Sequence, residues 1–538
     1  MTGQLVKEAA LSMKPGKGDV SCGFSSDAIL NAPDILFDHL AASFRSFLFH
    51  GNMTPSLLAC SFLPLLKSSL KDPADIGSYR AIAGSSLLLK LFEKVVLLIW
   101  GHLLSSDSLQ FGFKKKTSTT QCSWLVTEVV QHYLKNGSNP IVTVLDCSKA
   151  FDTCRFSTLF SKLLEKGVPP IVVQVLMNVY ENQYAWVSWG SAKSDMFDIT
   201  NGTRQGSVAS PVLWAVYCDP LIQELRDLGV GAHVGGLFMG VTMYADDLLL
   251  IAPTRGGMQQ MLEVCENYAI RFNVSFSTDP DPIKSKSKCI FMIGEKRNLT
   301  RPVPLMLGGR ELPWVSTAVH LGHELHESGK MNHDAKVKRA EFISKSVEVR
   351  ETFGFASPVE VLQAQKVYCS SFYGSMLWNL SGEGATQVFN AWNTGVKLAW
   401  DCPRDTRTYL AQQVLSCGLD SARTDILVRY AKFFKSLRTS PGREVSVLAN
   451  IVSRDIQTTT GSNLRLLEEA SGLSAWDSSP DKLREAIRNK EMVEVGPQEQ
   501  WRIPYLNKLL SQRQELCYLG LDQEKSRVDD LIDSLCIH

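Results

Sequence analysis

Three aspartates carry the chemistry this chain advertises. Asp246 and Asp247 stand side by side in "MYADDLLLIA", between two apolar runs, and Asp146 ends the β-branched run of "IVTVLDCSKAFDTCR". Neighbouring carboxylates repel, and each raises the other's pKa, so burying them costs stability unless cations neutralise them. Hard oxygen ligands that leave coordination positions open suit Mg²⁺ carrying a nucleotide phosphate. Two such ions about 3.5–4 Å apart form the clamp used in phosphoryl transfer. The alternative for the Asp-Asp pair is turn chemistry alone, since Asp often closes hairpins.

The local patterns say what must hold these groups. "LFMGVTMYADDLLLIAPT" reads as two apolar strands around a turn of two to four residues, with the carboxylates at its tip. Residues 141–145 read as a strand delivering Asp146 to a loop, followed by a helix from about Arg155. Between the two sites, "NGTRQGSVASPVLWAVY" is a Gly-rich polar loop and then a Ser-Pro opening an apolar helix. Gly206 lets backbone approach a ligand, and Arg204 and Gln205 are placed to touch a nucleic acid strand or an incoming base.

Around these motifs, residues 1–70 are expected to be a helical lead-in, and 71–330 alternate short β-type runs with helices, the mark of an α+β domain. Helical patterns take over at 331–400 and continue through a more polar 401–538, where "SSPDKLREAIRNKEMVEVGPQEQ" reads as an exposed helix and linker. The apolar fraction is 44% and the charged fraction 21%, which excludes disorder and fibrous repeats. A net charge of +1 neither demands nor excludes a polyanionic partner. Thirteen cysteines without a C-x-x-C pair fit reduced thiols in an intracellular protein, nuclear or cytoplasmic. The greasiest stretch, "KVVLLIWGHLL", is too short to span a bilayer, so no membrane partner is expected.

In order and separation, "LDCSKAFD", "NGTRQGSVASP", "YADD" and "HLGHEL" resemble motifs A, B, C and E of reverse transcriptases of the non-LTR (LINE-type) retrotransposon family. "DPADIGSYRAIAGSSLLLKLFEKVV" and "QFGFKKKTSTT" are similar to that family's finger motifs. "DPIKSKSKCIFMIG" is similar to its motif D. The resemblance is specific over about 20–330. It implies a right-hand polymerase: fingers and a palm of antiparallel sheet covered by helices (71–330), a helical thumb (331–400), and a mostly helical C-terminal region of unassigned role (401–538).

The implied activity is RNA-directed DNA polymerisation, with an RNA template, a DNA primer and dNTPs as partners and two Mg²⁺ ions, or Mn²⁺, as cofactors. By resemblance, Asp146, Asp246 and Asp247 are the metal-binding catalytic residues. Phe151 lies beneath the sugar, where its ring would clash with a 2′-hydroxyl. Arg80 and Lys114 lie near the triphosphate, although "YRAI" has Ala81 where the family has Pro, and Lys114 replaces an Arg. Gln205 and Gly206 line the nucleotide site, and Lys286 protonates pyrophosphate, with Lys284 and Lys288 alternating around it. His320, Leu321 and Gly322 form the primer grip.

A decayed or repurposed copy that binds RNA without polymerising is the alternative. An RNA-templated RNA polymerase would be expected to carry a smaller or acidic group at Phe151. No stretch resembles an apurinic-type endonuclease, a zinc knuckle or an RNase H carboxylate set, so the chain as given is expected to polymerise without nicking a target. Three further signals are set aside. "HLGHELH" spaces histidines by three but lacks a zincin pattern. "LGVGAHVGG" has the wrong context for a dinucleotide fingerprint and reads as a connector. Trp186 and Trp189 read as strand packing before base stacking.

Overall fold

The computed structural model describes residues 1–538 except 21–22, 70, 149, 205, 280, 282, 295–298, 331, 403–405, 408–414, 417, 477, 494–501, 519–521 and 538. The chain opens with α1 (Gly3–Leu11), α2 (Ser26–Leu30), α3 (Asp34–His50) and α4 (Pro55–Leu58). Here the expected all-helical lead-in fails: Ala59–Leu66 is strand β1. It pairs antiparallel with β2 (Tyr79–Ser85) and parallel with β4 (Tyr184–Trp189). "ACSFLPLL" has no alternation of its own, so its conformation is imposed by partners 20 and 120 residues away. Asp19 ties the lead-in to this sheet's neighbour by accepting the Leu87 amide, at 2.6 Å, at the start of α5 (Leu87–Trp100).

The second sheet runs β11–β3–β10–β9, with β12 also on β3, and every pairing is antiparallel. Its strands are β3 (Ile141–Ser148), β9 (Val241–Tyr244), β10 (Asp247–Ala252), β11 (Ser275–Phe276) and β12 (Lys288–Phe291). β10 is buried from Leu248 to Ala252, which is why its apolar run is continuous and does not alternate. Helices cover the sheet: α6 (Thr119–Lys135) lies against β9, and α11 (Arg255–Phe272) against β10 and α10 (Ser210–Asp227). Between β3 and β4 lie α7 (Ala150–Thr153), α8 (Phe156–Glu165) and α9 (Pro170–Glu181). Two sheets of this kind with covering helices make an α+β fold.

One stretch differs from expectation. "LGVGAHVGG" is no plain connector: Gly235 and Gly236, both at positive φ, turn the hairpin β7 (His233–Val234) to β8 (Leu237–Phe238). "HLGHELH" is also a hairpin, β15 (Thr317–His320) to β16 (His323–His326).

After β16 the described residues form helices, beginning with α12 (Asn332–Thr352), α13 (Pro358–Tyr368) and α14 (Glu383–Ala399), which pack on one another. Beyond them, α15 (Ala422–Arg438), α16 (Arg443–Val452), α17 (Thr459–Ser471) and α18 (Pro480–Val493) form a further helical body, and α16 packs on α6. α18 is not simply an exposed helix: Leu483 and Ile487 are buried, and Arg484 and Arg488 both pair with buried Asp420. No described helix is long and apolar enough to cross a membrane.

Candidate active site

The pairing of β3 with β10 sets Asp146 directly opposite Asp247. Ala245 and Asp246 form the two-residue turn between β9 and β10, with Ala245 at φ +59°, in the left-handed region that non-glycine residues rarely enter. Three half-buried carboxylates thus lie near one another at one end of the β3–β10 pair. Burial pushes Asp246 up, and Asp146 adds to the rise. Burial, then Asp246, then Asp146, push Asp247 up to about 6.

One ammonium answers this charge. Lys286 Nζ lies 3.3 Å from Asp146 Oδ2 while remaining largely exposed. Its neighbours go elsewhere: Lys284 pairs weakly with Asp281 at 4.0 Å, and Lys288 stands in β12 opposite Val144. Among the described residues no group of three or more His, Cys, Asp or Glu side chains is drawn together closely enough to hold a metal ion. The fit to a divalent ion rests on the donor set: hard, under-neutralised oxygens that leave coordination sites for phosphate and water.

Beside Asp246 opens a cavity of about 340 Å³, lined by Arg80, Phe113, Phe151, Gly206 and Ala245 among others. The Phe151 ring packs between Trp214, at 5.2 Å, and Phe113, edge-on at 6.2 Å. Gly206 has φ +122°, and a Cβ there would lie 2.5 Å from the Ala83 carbonyl of β2, so only glycine lets this loop press on that strand. Exposed Arg80 lies close enough to Asp246 to offset part of its rise.

Other expected residues are placed differently. Gln205 lies outside the described residues. Lys114 does not line this cavity: its ammonium bonds the carbonyls of Ser106, at 2.9 Å, and Asp107. A flexible lysine has settled on the nearest carbonyls, and burial lowers its pKa there. Arg204 is not free to grip a strand either. It is buried, pairs with Glu93 of α5 at 3.3 Å and lies over the Tyr180 ring at 5.5 Å.

Glu93 is the residue that sequence reasoning missed. Its carboxylate also accepts the Ser207 hydroxyl at 2.7 Å and the Val208 amide at 2.9 Å, so it holds the whole turn after Gly206. The available signal was a lone acid inside the apolar run "LFEKVV".

The His320–Leu321–Gly322 corner is a tight hairpin turn, with Leu321 at φ +52° and Gly322 at φ +79°. Tyr373 supports it: the hydroxyl donates to Leu321 O at 3.1 Å, and the ring stacks on His323 at 4.8 Å. His320 and His323 are buried, and desolvation pulls His320 down to about 4, so both rings are neutral near pH 7. Trp186 and Trp189 lie in β4, Trp186 under the Lys193 ammonium and Trp189 against Tyr79.

Residues 67–296 match the family described as reverse transcriptase (RNA-dependent DNA polymerase). Relatives include the Pol polyprotein of the type-2 retrotransposable element R2DM of Drosophila melanogaster, 28% identical over 40% of this chain and 20% of that protein. The RNA-directed DNA polymerase from mobile element jockey of Drosophila funebris is 26% identical over 51% of this chain and 30% of its own. The putative 115 kDa protein of element R1DM of Drosophila melanogaster is 25% identical over 56% of this chain and 28% of its own. The chain therefore spans under a third of these relatives' lengths. Among solved structures, apo telomerase from Candida tropicalis, truncated from its C-terminal domain, matches 55% of this chain and 59% of its own at 11% identity, with a TM-score of 0.35. Residues 67–296, which hold all three aspartates, are thus similar to the reverse transcriptase family, and the relatives of this chain come from retrotransposable and mobile elements.

Proposed function

We propose that this protein is an RNA-directed DNA polymerase that extends a DNA primer along an RNA template with dNTPs. The observation that carries the reading is the nearness of Asp146, Asp246 and Asp247 at one end of the β3–β10 pair, beside a cavity floored by Phe151 and Gly206. Reverse transcriptases depend on divalent metal, and the carboxylate oxygens here suit Mg²⁺. When bound, the ions would stabilise the entering and leaving oxygens of the displacement.

The chain's own residues supply the rest. Asp146 in β3 and Asp246 in the turn before β10 would hold the ions, and Asp247 completes the anionic cluster from the start of β10. Arg80 offers a guanidinium to the triphosphate from β2. Phe151, fixed by Trp214 and Phe113, sits where a ribose 2′-hydroxyl would collide with its ring. Lys286, largely exposed and next to Asp146, is placed to give a proton to departing pyrophosphate. The Leu321–Gly322 turn supports the primer end, and α12 to α14 act as a thumb against the duplex.

Primer extension on an RNA template, with dNTPs and NTPs supplied separately, tests this directly. Wild type should extend with dNTPs alone under Mg²⁺, and Asp246→Asn should abolish synthesis while keeping the wild-type unfolding midpoint. Absence of extension by folded wild type on any template would instead favour an RNA-binding role without polymerisation.

A further inference from the structure

The turn that carries Asp246 is locked from outside its own sheet. Ala245 is strained at φ +59°, yet its amide and carbonyl are both paired. The amide donates to Gln110 Oε1 at 3.1 Å. The carbonyl accepts from Trp214 Nε1 at 3.1 Å and, more weakly, from Gln110 Nε2 at 3.4 Å. Gln110 and Trp214 are both fully buried. Gln110 Oε1 also accepts the Gly112 amide at 2.8 Å.

The segment carrying Gln110 is attached to the same place by its backbone. Phe111 N donates to Met243 O at 2.7 Å, and Met243 N donates to Leu109 O at 2.9 Å, so residues 109–111 run along the free edge of β9. A Cβ on Gly112 would lie 2.4 Å from the Ala245 amide nitrogen. Directly after it, Phe113 meets the Phe151 ring edge-on at 6.2 Å, and Trp214 packs on the same ring at 5.2 Å.

We infer that Gln110, with Trp214, is a positioning residue that holds the Ala245–Asp246 turn, and through it the metal-binding carboxylates, in register with the Phe151 sugar gate. A buried amide side chain that accepts from one strained backbone group and donates to the other fixes both φ and the direction in which Asp246 leaves the strand. Without it, the two-residue turn relaxes toward conformations in which Asp246 no longer faces Asp146. Misplacement on the scale of 1 Å costs about 100-fold in rate. The catalytic part of this inference rests on the polymerase reading above; the geometric part does not.

The test uses Gln110→Met, which keeps the side-chain volume and loses all three hydrogen bonds. Hydrogen exchange of backbone amides in the full-length protein, without substrate or metal, reads the turn itself. Exchange at the Ala245 amide should accelerate at least tenfold in Gln110→Met, and Gln110→Glu, which keeps an acceptor, should recover most of the protection.

In primer extension, Gln110→Met should lower kcat by 10- to 100-fold with KM for dNTP changed less than threefold, with kcat taken per folded protein from the unfolding curve of each variant, because loss of folded protein alone also lowers apparent kcat without moving KM. Should Gln110→Met fail to fold, Gly112→Ala, which presses on the same amide, should show the same gain in exchange. Unchanged exchange at residues 243–247 in the folded variants overturns the inference, as does a KM defect without a kcat defect. A wild type that never extends a primer defeats the polymerase reading, while the exchange result still decides the role of Gln110.

Discussion

Phe151 shows how far a single side chain can be read ahead of its surroundings. The resemblance of its motif implies a steric check on the sugar, and the structure sets the ring in the cavity wall beside Asp246. Because Trp214 and Phe113 brace it, shortening it should open space without moving its neighbours. Phe151→Val is expected to raise kcat/KM for NTPs relative to dNTPs by roughly 10- to 100-fold, the discrimination one steric contact typically supplies. Parallel extension assays with each nucleotide set measure this, and an unchanged ratio would remove Phe151 from the gate. The neighbourhood of the three aspartates was legible because the apolar runs of β3 and β10 beside them mark paired strands, and the pairing sets Asp146 opposite Asp247. Lys114 was not legible, because a lysine's long stem lets it reach in several directions. Here it found the carbonyls of Ser106 and Asp107 before any triphosphate.

Among elements, α5 and the loop before α10 are joined by one buried charge cluster. Glu93 holds Arg204, Ser207 and Val208, and the Glu93–Arg204 side chains are each only 1% exposed. Removing one partner leaves the other charge buried and unpaired, which typically costs about 3–5 kcal/mol. Glu93→Leu should therefore lower the urea midpoint strongly and weaken dNTP binding as Gly206 loses its seat on β2. Adding Arg204→Met should restore much of the stability but not the binding; a double-variant loss equal to the sum of the two single-variant losses would mean the pair is not coupled. Nothing in the sequence located this pair, since its partners lie 111 residues apart. Elements with a local signature fared better: β3 and β10 were visible in their apolar runs, whereas β1 and the two small hairpins depend on partners or on paired positive-φ residues.

At the scale of the whole molecule, the C-terminal helices close back on the catalytic half through α6. Thr460 donates to Glu128 at 2.5 Å and accepts from Trp124 Nε1 at 2.9 Å, while Lys135 pairs with Asp455. Such contacts leave no trace in local periodicity, which is why the role of 401–538 was unreadable. They do leave a trace in pH dependence. Burial raises Glu128 from 4.5 to about 7, so the folded state holds a proton that the unfolded state gives up. Its contribution is fully present below about 4.5 and is lost as pH rises through about 7. The slope is at most about 1.4 kcal/mol per pH unit.

His320 acts in the opposite sense. Its pKa falls from 6.5 to about 4, so its contribution is present above 6.5 and is lost as pH drops toward 4. Between roughly 4.5 and 6.5 the two slopes offset each other. Urea midpoints measured across pH 4.5–7.5 should separate them. The Glu128→Gln minus wild-type difference should rise with pH, and the His320→Phe minus wild-type difference should fall. A flat Glu128 difference would mean that its carboxyl is hydrated and that the C-terminal helices do not seal α6 in solution.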